Sequence, residues 1–149
     1  MAFSRAARFA AAYALLRSAA DVADHWVQTH NQALTKGQHD HREGESSAAG
    51  RAACAAHVAT YVGTQGLALL IGSRVLGMRL RPVPVVAALA VSAATHYVAD
   101  RRDPLRHIAE SIGKAEYYAL ADHGMNGAYA LDQAFHHAFE TAAAIIASA

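Results

Sequence analysis

Four polar pairs stand four residues apart in apolar, alanine-rich surroundings: Asp24 and Gln28, His57 and Tyr61, His96 and Asp100, and Asp132 and His136. Residues with this spacing lie on one face of a helix, so each pair would give its helix a single polar spot. Imidazoles and carboxylates that meet in an apolar interior are costly unless they are paired, protonated or bound to a cation. The spacing therefore predicts that the four spots form one shared site.

The residue types at this site are those of a divalent metal centre. The predicted ligands are three histidines and three aspartates: His57, His96, His136, Asp24, Asp100 and Asp132. Imidazole and carboxylate suit zinc, manganese or iron, and the cores of helical bundles are known hosts for such ions. We expect zinc or manganese as the cofactor. A bound metal would lower the pKa of its water and make a nucleophile.

Two of the carboxylates are predicted to be catalytic. Asp24 would act as the general base if it is not needed for coordination, and Asp100 is the second candidate. Four neighbouring residues are predicted to support the ligands: His25, Gln28, Tyr61 and Gln133.

The ordinary interpretation of each pair is a hydrogen-bonded core residue, and Tyr61 could simply satisfy His57. What favours one site is that the pairs occur at matching ends of their segments. Asp24 and Asp100 end apolar runs, whereas His57 and Asp132 begin them. In an up-down bundle these ends lie at the same face.

The composition predicts the elements that must position these residues. The chain has 149 residues, only three prolines and many alanines, which indicates a single all-α domain over residues 1–149. We predict a four-helix up-down bundle with a short amphipathic helix between the last two long helices. The predicted helices cover residues 5–32, 52–75, 82–100, 105–110 and 129–147.

The segment from residue 33 to 51 is polar and predicts a loop. Its His39 and His41 flank Asp40, and a solvated loop is favoured there over a metal site. Arg101 and Arg102 follow Asp100 directly. They could hold an anionic substrate or a lipid phosphate, but ordinary loop charges at a membrane edge are the favoured alternative.

The second predicted helix has no charged residue between Arg51 and Arg74, which is long enough to cross a hydrocarbon core. A soluble bundle would need a charged outer stripe on each helix, and two of these helices lack one. The sequence therefore favours a multi-pass protein of the cell membrane, in contact with lipid. The net charge of +1 argues against nucleic acid as a partner. The single cysteine, Cys54, is predicted to be a small buried residue.

The four motifs resemble those of an uncharacterised family of small, mainly actinobacterial membrane proteins. That family shows His-x3-Asp-x3-Gln, then a histidine, then His-x3-Asp, then Asp-Gln-x2-His. The matching stretches here are Asp24 to Gln28, His57, His96 to Asp100, and Asp132 to His136. The chain departs from the first motif, because Ala20 stands where the family has histidine. Either His25 substitutes for it or one ligand is missing.

More distantly the chain is similar to inner-membrane proteins labelled metal-dependent hydrolases. This resemblance implies a membrane bundle with a metal site that hydrolyses a lipid-linked or small ester or phosphate substrate. Two alternatives remain open: a non-enzymatic membrane protein whose polar cluster is a structural network or an ion path, and a soluble helical regulator. A second copy of the chain is a further candidate partner, which would make the protein a homo-oligomer.

Overall fold

The computed structural model describes residues 3–149 and confirms the all-α class. The chain is 76% helical, and no strand occurs in the described part. The elements are α1 (Arg5–Val22), a π-helical turn (Ala23–Val27), α2 (His30–Thr35), α3 (Ser47–Val75), α4 (Pro82–Asp100), α5 (Asp103–Ser111), α6 (Ala115–Ala119) and α7 (Gly127–Ala147).

Four long helices contact one another in a ring. Helix α4 packs against α3 and α7, and α1 packs against the same two helices from the other side. Small side chains make most of the central contacts, which lets the helix backbones approach closely. The larger of two buried clusters contains Ala12, Leu16, Leu69, Ala88, Ala143, Ala144 and Ala147.

The first helix ends earlier than predicted. Helix α1 stops at Val22, and the π turn adds one residue to the next turn through a hydrogen bond from Gln28 N to Ala23 O. At Gln28 the backbone leaves the helical region, with ψ at 128°. Thr29 then caps α2 in a capping box, because its hydroxyl accepts from Gln32 N and the Gln32 side chain accepts from Thr29 N.

The predicted loop over residues 33–51 is shorter than expected. Helix α2 continues to Thr35, and α3 begins at Ser47 because the Ser46 hydroxyl accepts a hydrogen bond from Ala49 N. The other boundaries agree with the prediction to within two residues. Helix α6 lies between Lys114 and Gly124, where the flanking glycines of the sequence predict a further short helical piece. Cys54 is fully buried, as predicted.

Helices α3 and α4 are long and apolar enough to cross a membrane by length and composition. In the described residues α1 and α7 do not pass the same test. Only a minority of each candidate span is buried within the protein. The outward faces of α3 and α4 expose large apolar side chains: Leu67, Leu70, Ile71, Val75, Val83 and Val86.

We predict that Gly127→Ala destabilises the protein by about 3 kcal/mol or more, because a Cβ at this position would collide with the backbone oxygen of Tyr117. Gly63→Ala is the matched control, since a Cβ there meets no atom of the described chain within 4 Å. The control should be neutral or stabilising by up to about 1 kcal/mol. Thermal unfolding followed by circular dichroism tests the pair, and equal midpoints would contradict the packing described for Gly127.

Candidate metal centre

The predicted site residues come from four elements that meet near one end of the long helices. Asp24 lies in the π turn, His57 lies in the first half of α3, and His96 and Asp100 lie in the last turns of α4. His136 comes from the first half of α7. These are the matching ends that the sequence predicts, and the side chains do converge.

Four atoms form the centre of this cluster. His57 Nε2 lies 3.0 Å from His96 Nε2, 3.1 Å from Asp24 Oδ1 and 3.4 Å from Asp100 Oδ2. His96 Nε2 lies 3.5 Å from Asp24 Oδ1 and 3.1 Å from Asp100 Oδ2. Both histidines are almost completely buried. Two imidazole nitrogens and two carboxylate oxygens therefore surround one point in the interior.

The Asp100 carboxylate supplies the clearest sign that hydrogen bonds alone do not explain this arrangement. Its Oδ2 atom is buried and has no hydrogen-bond partner among residues 3–149, although both histidine Nε2 atoms are within 3.4 Å. Such an acceptor is costly to bury. Close approach without hydrogen-bond geometry is what ligands around a common cation show.

The distances fit a metal ion. Ligand atoms about 2.1 Å from a metal lie about 3.0 Å apart at neighbouring octahedral positions and about 3.4 Å apart in a tetrahedron. The five atom pairs given above span 3.0–3.5 Å. His57, His96, Asp24 and Asp100 could therefore hold a divalent ion without a large rearrangement.

The surroundings of Asp24 favour the ionised form of its carboxyl group. Burial raises the pKa of its carboxyl, but the hydrogen bond with His57, the His96 imidazole and the Lys36 ammonium outweigh burial and hold the pKa below its usual value. A carboxylate in the ionised form can coordinate a metal or accept a proton.

His136 lies beside the four-atom centre. Its ring stacks on His96 with centroids 4.2 Å apart, and it offers a nitrogen within 4.8 Å of ligand atoms of His96 and Asp100. Asp132 Oδ2 is 3.4 Å from His136 Nε2 and belongs to neither metal-competent group of the central cluster. Asp132 is thus placed to orient His136. It is not in the metal-ligand position that the sequence predicts for it.

Tyr61 does not satisfy His57. Its hydroxyl donates to Glu140 Oε1 at 2.8 Å, while its ring stacks on His96 at 3.7 Å. Glu140 is buried, and its other oxygen lies 3.5 Å from Arg17 Nη1. The sequence analysis missed Glu140 as a partner, although its position four residues after His136 on α7 is the same helical signal.

The other predicted supporting residues take different places. His25 contributes no atom to the four-atom centre but lines the adjoining cavity, with Nδ1 3.0 Å from Asp21 O and Nε2 3.3 Å from the Tyr129 hydroxyl. It does not replace the histidine missing at Ala20, which is buried in the core. Gln133 donates to Asp132 Oδ2 at 3.4 Å, and Gln28 lies on the wall of the adjoining cavity.

Arg101 has a structural role that the sequence analysis did not predict. It is buried, and its two terminal nitrogens donate to Lys36 O and Gln38 O at 2.6 Å each. This clamp holds the end of α2 over α4, so that Lys36 Nζ reaches Asp100 Oδ1 at 2.7 Å. Arg101 is therefore not free to hold an anion, and Lys36 is a site residue that sequence reasoning missed.

The loop histidines are not simply solvated. His39 Nε2 and His41 Nε2 lie 3.4 and 3.3 Å from Asp103 Oδ2, and Arg42 forms an ion pair with the other oxygen of that carboxylate. The geometry of His39, His41 and Asp103 would allow them to hold a metal ion. However, His39 Nε2 lies 2.9 Å from Arg101 O, and this hydrogen bond together with Arg42 accounts for the group as a loop anchor.

A cavity of about 570 Å³ opens onto the candidate metal centre. Its wall contains Asp24, Asp100, Asp132 and His136, together with Lys36 and Arg102. The ligand cluster is thus accessible from one side, through this cavity.

Arg102 stands at the corner between α4 and α5 with a positive φ of 61°, a conformation that costs a non-glycine residue about 1–3 kcal/mol.

No family model, curated protein or solved structure matches this chain. The resemblance to the His/Asp-motif membrane family stays a prediction drawn from the motifs.

We predict that Tyr61→Phe destabilises the protein by about 1–3 kcal/mol, because it leaves Glu140 buried without its hydroxyl donor. The ring stacking on His96 is kept, so metal binding should survive. Tyr117→Phe is the control: this tyrosine is exposed and its loss should change stability by less than about 0.5 kcal/mol. Chemical unfolding of the two variants measures these changes in stability. A free energy of unfolding for Tyr61→Phe equal to that of the wild type would mean that the hydroxyl contributes nothing to stability.

Proposed function

We propose that this chain is a metal-dependent hydrolase built as a four-helix bundle in the cell membrane. His57, His96, Asp24 and Asp100 would hold a divalent ion, with zinc or manganese the best fit to the donor set. The single observation that carries this proposal is the Asp100 Oδ2 atom, buried and unpartnered within the described chain yet 3.1 Å from His96 Nε2.

The cation resolves the electrostatic problem at the centre. Two carboxylates and two imidazole lone pairs in a buried place repel one another unless positive charge lies between them. Lys36 reaches only the outer oxygen of Asp100. A metal ion would neutralise the inner oxygens and, when bound, would supply a water of lowered pKa.

The protein's own groups would then direct hydrolysis of an ester or phosphate ester. Asp24 lines the cavity, so the carboxylate oxygen that it does not use for coordination can accept the proton as the water oxygen attacks the carbonyl carbon or phosphorus. The bond to the leaving oxygen breaks, and that oxygen takes up a proton. His136, oriented by Asp132, lies on the same wall and is the proposed donor of that proton.

The membrane location is supported by the composition and exposure of α3 and α4. Val75 at the end of α3 and Val83 at the start of α4 are each 79% exposed. Further exposed apolar side chains lie on the same two helices: Leu67, Leu70, Ile71 and Val86. Such a surface would be costly in water and is favourable against lipid. We extend the proposal to α1 and α7 because they pack against this pair, and to membership of the His/Asp-motif membrane family.

Metal analysis of the purified protein tests the site. We expect about one equivalent of zinc or manganese in the wild type and at least a tenfold loss of affinity in His96→Ala and Asp100→Asn. His107→Ala is the control, because this histidine is exposed on α5. A folded wild type that takes up no metal would contradict the proposal and favour a non-enzymatic protein with a structural network or ion path.

Cell fractionation tests the location separately. The protein should sediment with membranes and be released by detergent, but not by high salt or alkaline carbonate. Recovery in the cytosolic fraction without detergent would contradict the membrane proposal and favour the soluble regulator.

A further inference from the structure

We infer that the cavity beside the metal centre is a binding site for the phosphate group of an amphiphilic substrate, held by Lys36, Arg102 and Gln28. This inference rests on the proposed metal site and names the substrate class for it. It starts from the charges on the cavity wall. Three carboxylates and two cationic side chains face the cavity, so a bound divalent ion would leave a net charge of about +1. A singly charged phosphodiester complements this balance.

Gln28 provides the second, independent observation. Its side chain lines the cavity, and its amide nitrogen is buried with no hydrogen-bond partner in residues 3–149. A buried donor of this kind is costly unless a ligand accepts from it. The π turn and the break at Gln28 are what direct this residue away from a continuous helix face.

Arg102 and Lys36 are positioned as the cationic partners. The Arg102 side chain crosses Gly37 so closely that a Cβ there would lie 2.5 Å from its Cδ and Nε atoms, and Nη2 donates to Ala33 O at 3.3 Å. The other guanidinium nitrogens keep their hydrogens for a ligand. Lys36 uses one donor on Asp100 and has two more. Lys36 therefore stands at the edge of the metal centre, and Arg102 lines the same cavity.

The surroundings of the cavity indicate an apolar tail on the ligand. Four exposed apolar residues lie within two positions, along the sequence, of residues that line the cavity: Trp26, Leu34, Leu120 and Met125. Trp26 is 86% exposed, which suits a membrane–water interface. A lipid with a phosphate headgroup would place its charge in the cavity and its chains against these residues. A free phosphate ester shares the headgroup chemistry but lacks the chains.

Calorimetry on the full chain in a maltoside detergent tests the site and its source. Metal uptake is titrated first. The metal-loaded protein is then titrated with glycerophosphoglycerol and, separately, with dihexanoylphosphatidylglycerol, which has the same headgroup and two short chains. We expect both to bind and the lipid to bind more tightly. Gln28→Leu and Arg102→Gln should each weaken binding of both probes about tenfold or more while leaving metal affinity unchanged.

Arg106→Gln is the matched control, because Arg106 lies on α5, pairs with Glu110 and is not part of the cavity wall. It should bind like the wild type. Metal uptake without binding of either phosphate probe would overturn this inference and leave the metal site intact. Equal affinities in wild type, Gln28→Leu and Arg102→Gln would overturn it as well. Failure of the wild type to take up metal would instead overturn the proposed function. Equal affinity for the two probes would overturn the lipid assignment and favour a free phosphate ester.

Discussion

The rest of this structure depends on how two imidazole nitrogens and two carboxylate oxygens are kept together in an apolar interior. His57 and His96 bring their Nε2 atoms to 3.0 Å, and Asp24 and Asp100 close the group from two other directions. The free energy needed to remove these groups from water must be offset where they meet. A cation at their centre offsets it directly, whereas the hydrogen bonds of the described chain leave Asp100 Oδ2 unsatisfied.

Several features of the fold serve that arrangement. Alanines at the contacts between long helices let the backbones come close, so that short aspartate and histidine side chains can meet. The Arg101 clamp holds Lys36 above Asp100, and Tyr61 holds His96 by stacking while its hydroxyl is fixed by Glu140. Asp100 is thus backed by an ion pair and His96 by a stacked ring, which restricts the positions of these two side chains.

The spacing of polar residues in the sequence predicts the centre well, because a four-residue interval fixes a helix face wherever the helix is regular. It therefore brings His57, His96 and Asp100 together correctly. The four-residue rule fails where the helix is irregular. The π turn interrupts the regular helix before Gln28, and Thr29 begins a new one. The capping-box residues Thr29 and Gln32 are the sequence signal for this break. Lys36 could not be found this way, because its place depends on a clamp by Arg101, more than sixty residues away. Asp132 keeps its predicted spacing but sits one contact outside the centre.

The most direct test of the central claim is an X-ray absorption spectrum at the metal edge of the purified protein. The account predicts a first shell of nitrogen and oxygen atoms at about 2.0–2.1 Å, with the outer-shell scattering of two imidazole rings. A protein that binds metal without histidine scattering, or that shows no metal edge while folded, would contradict it.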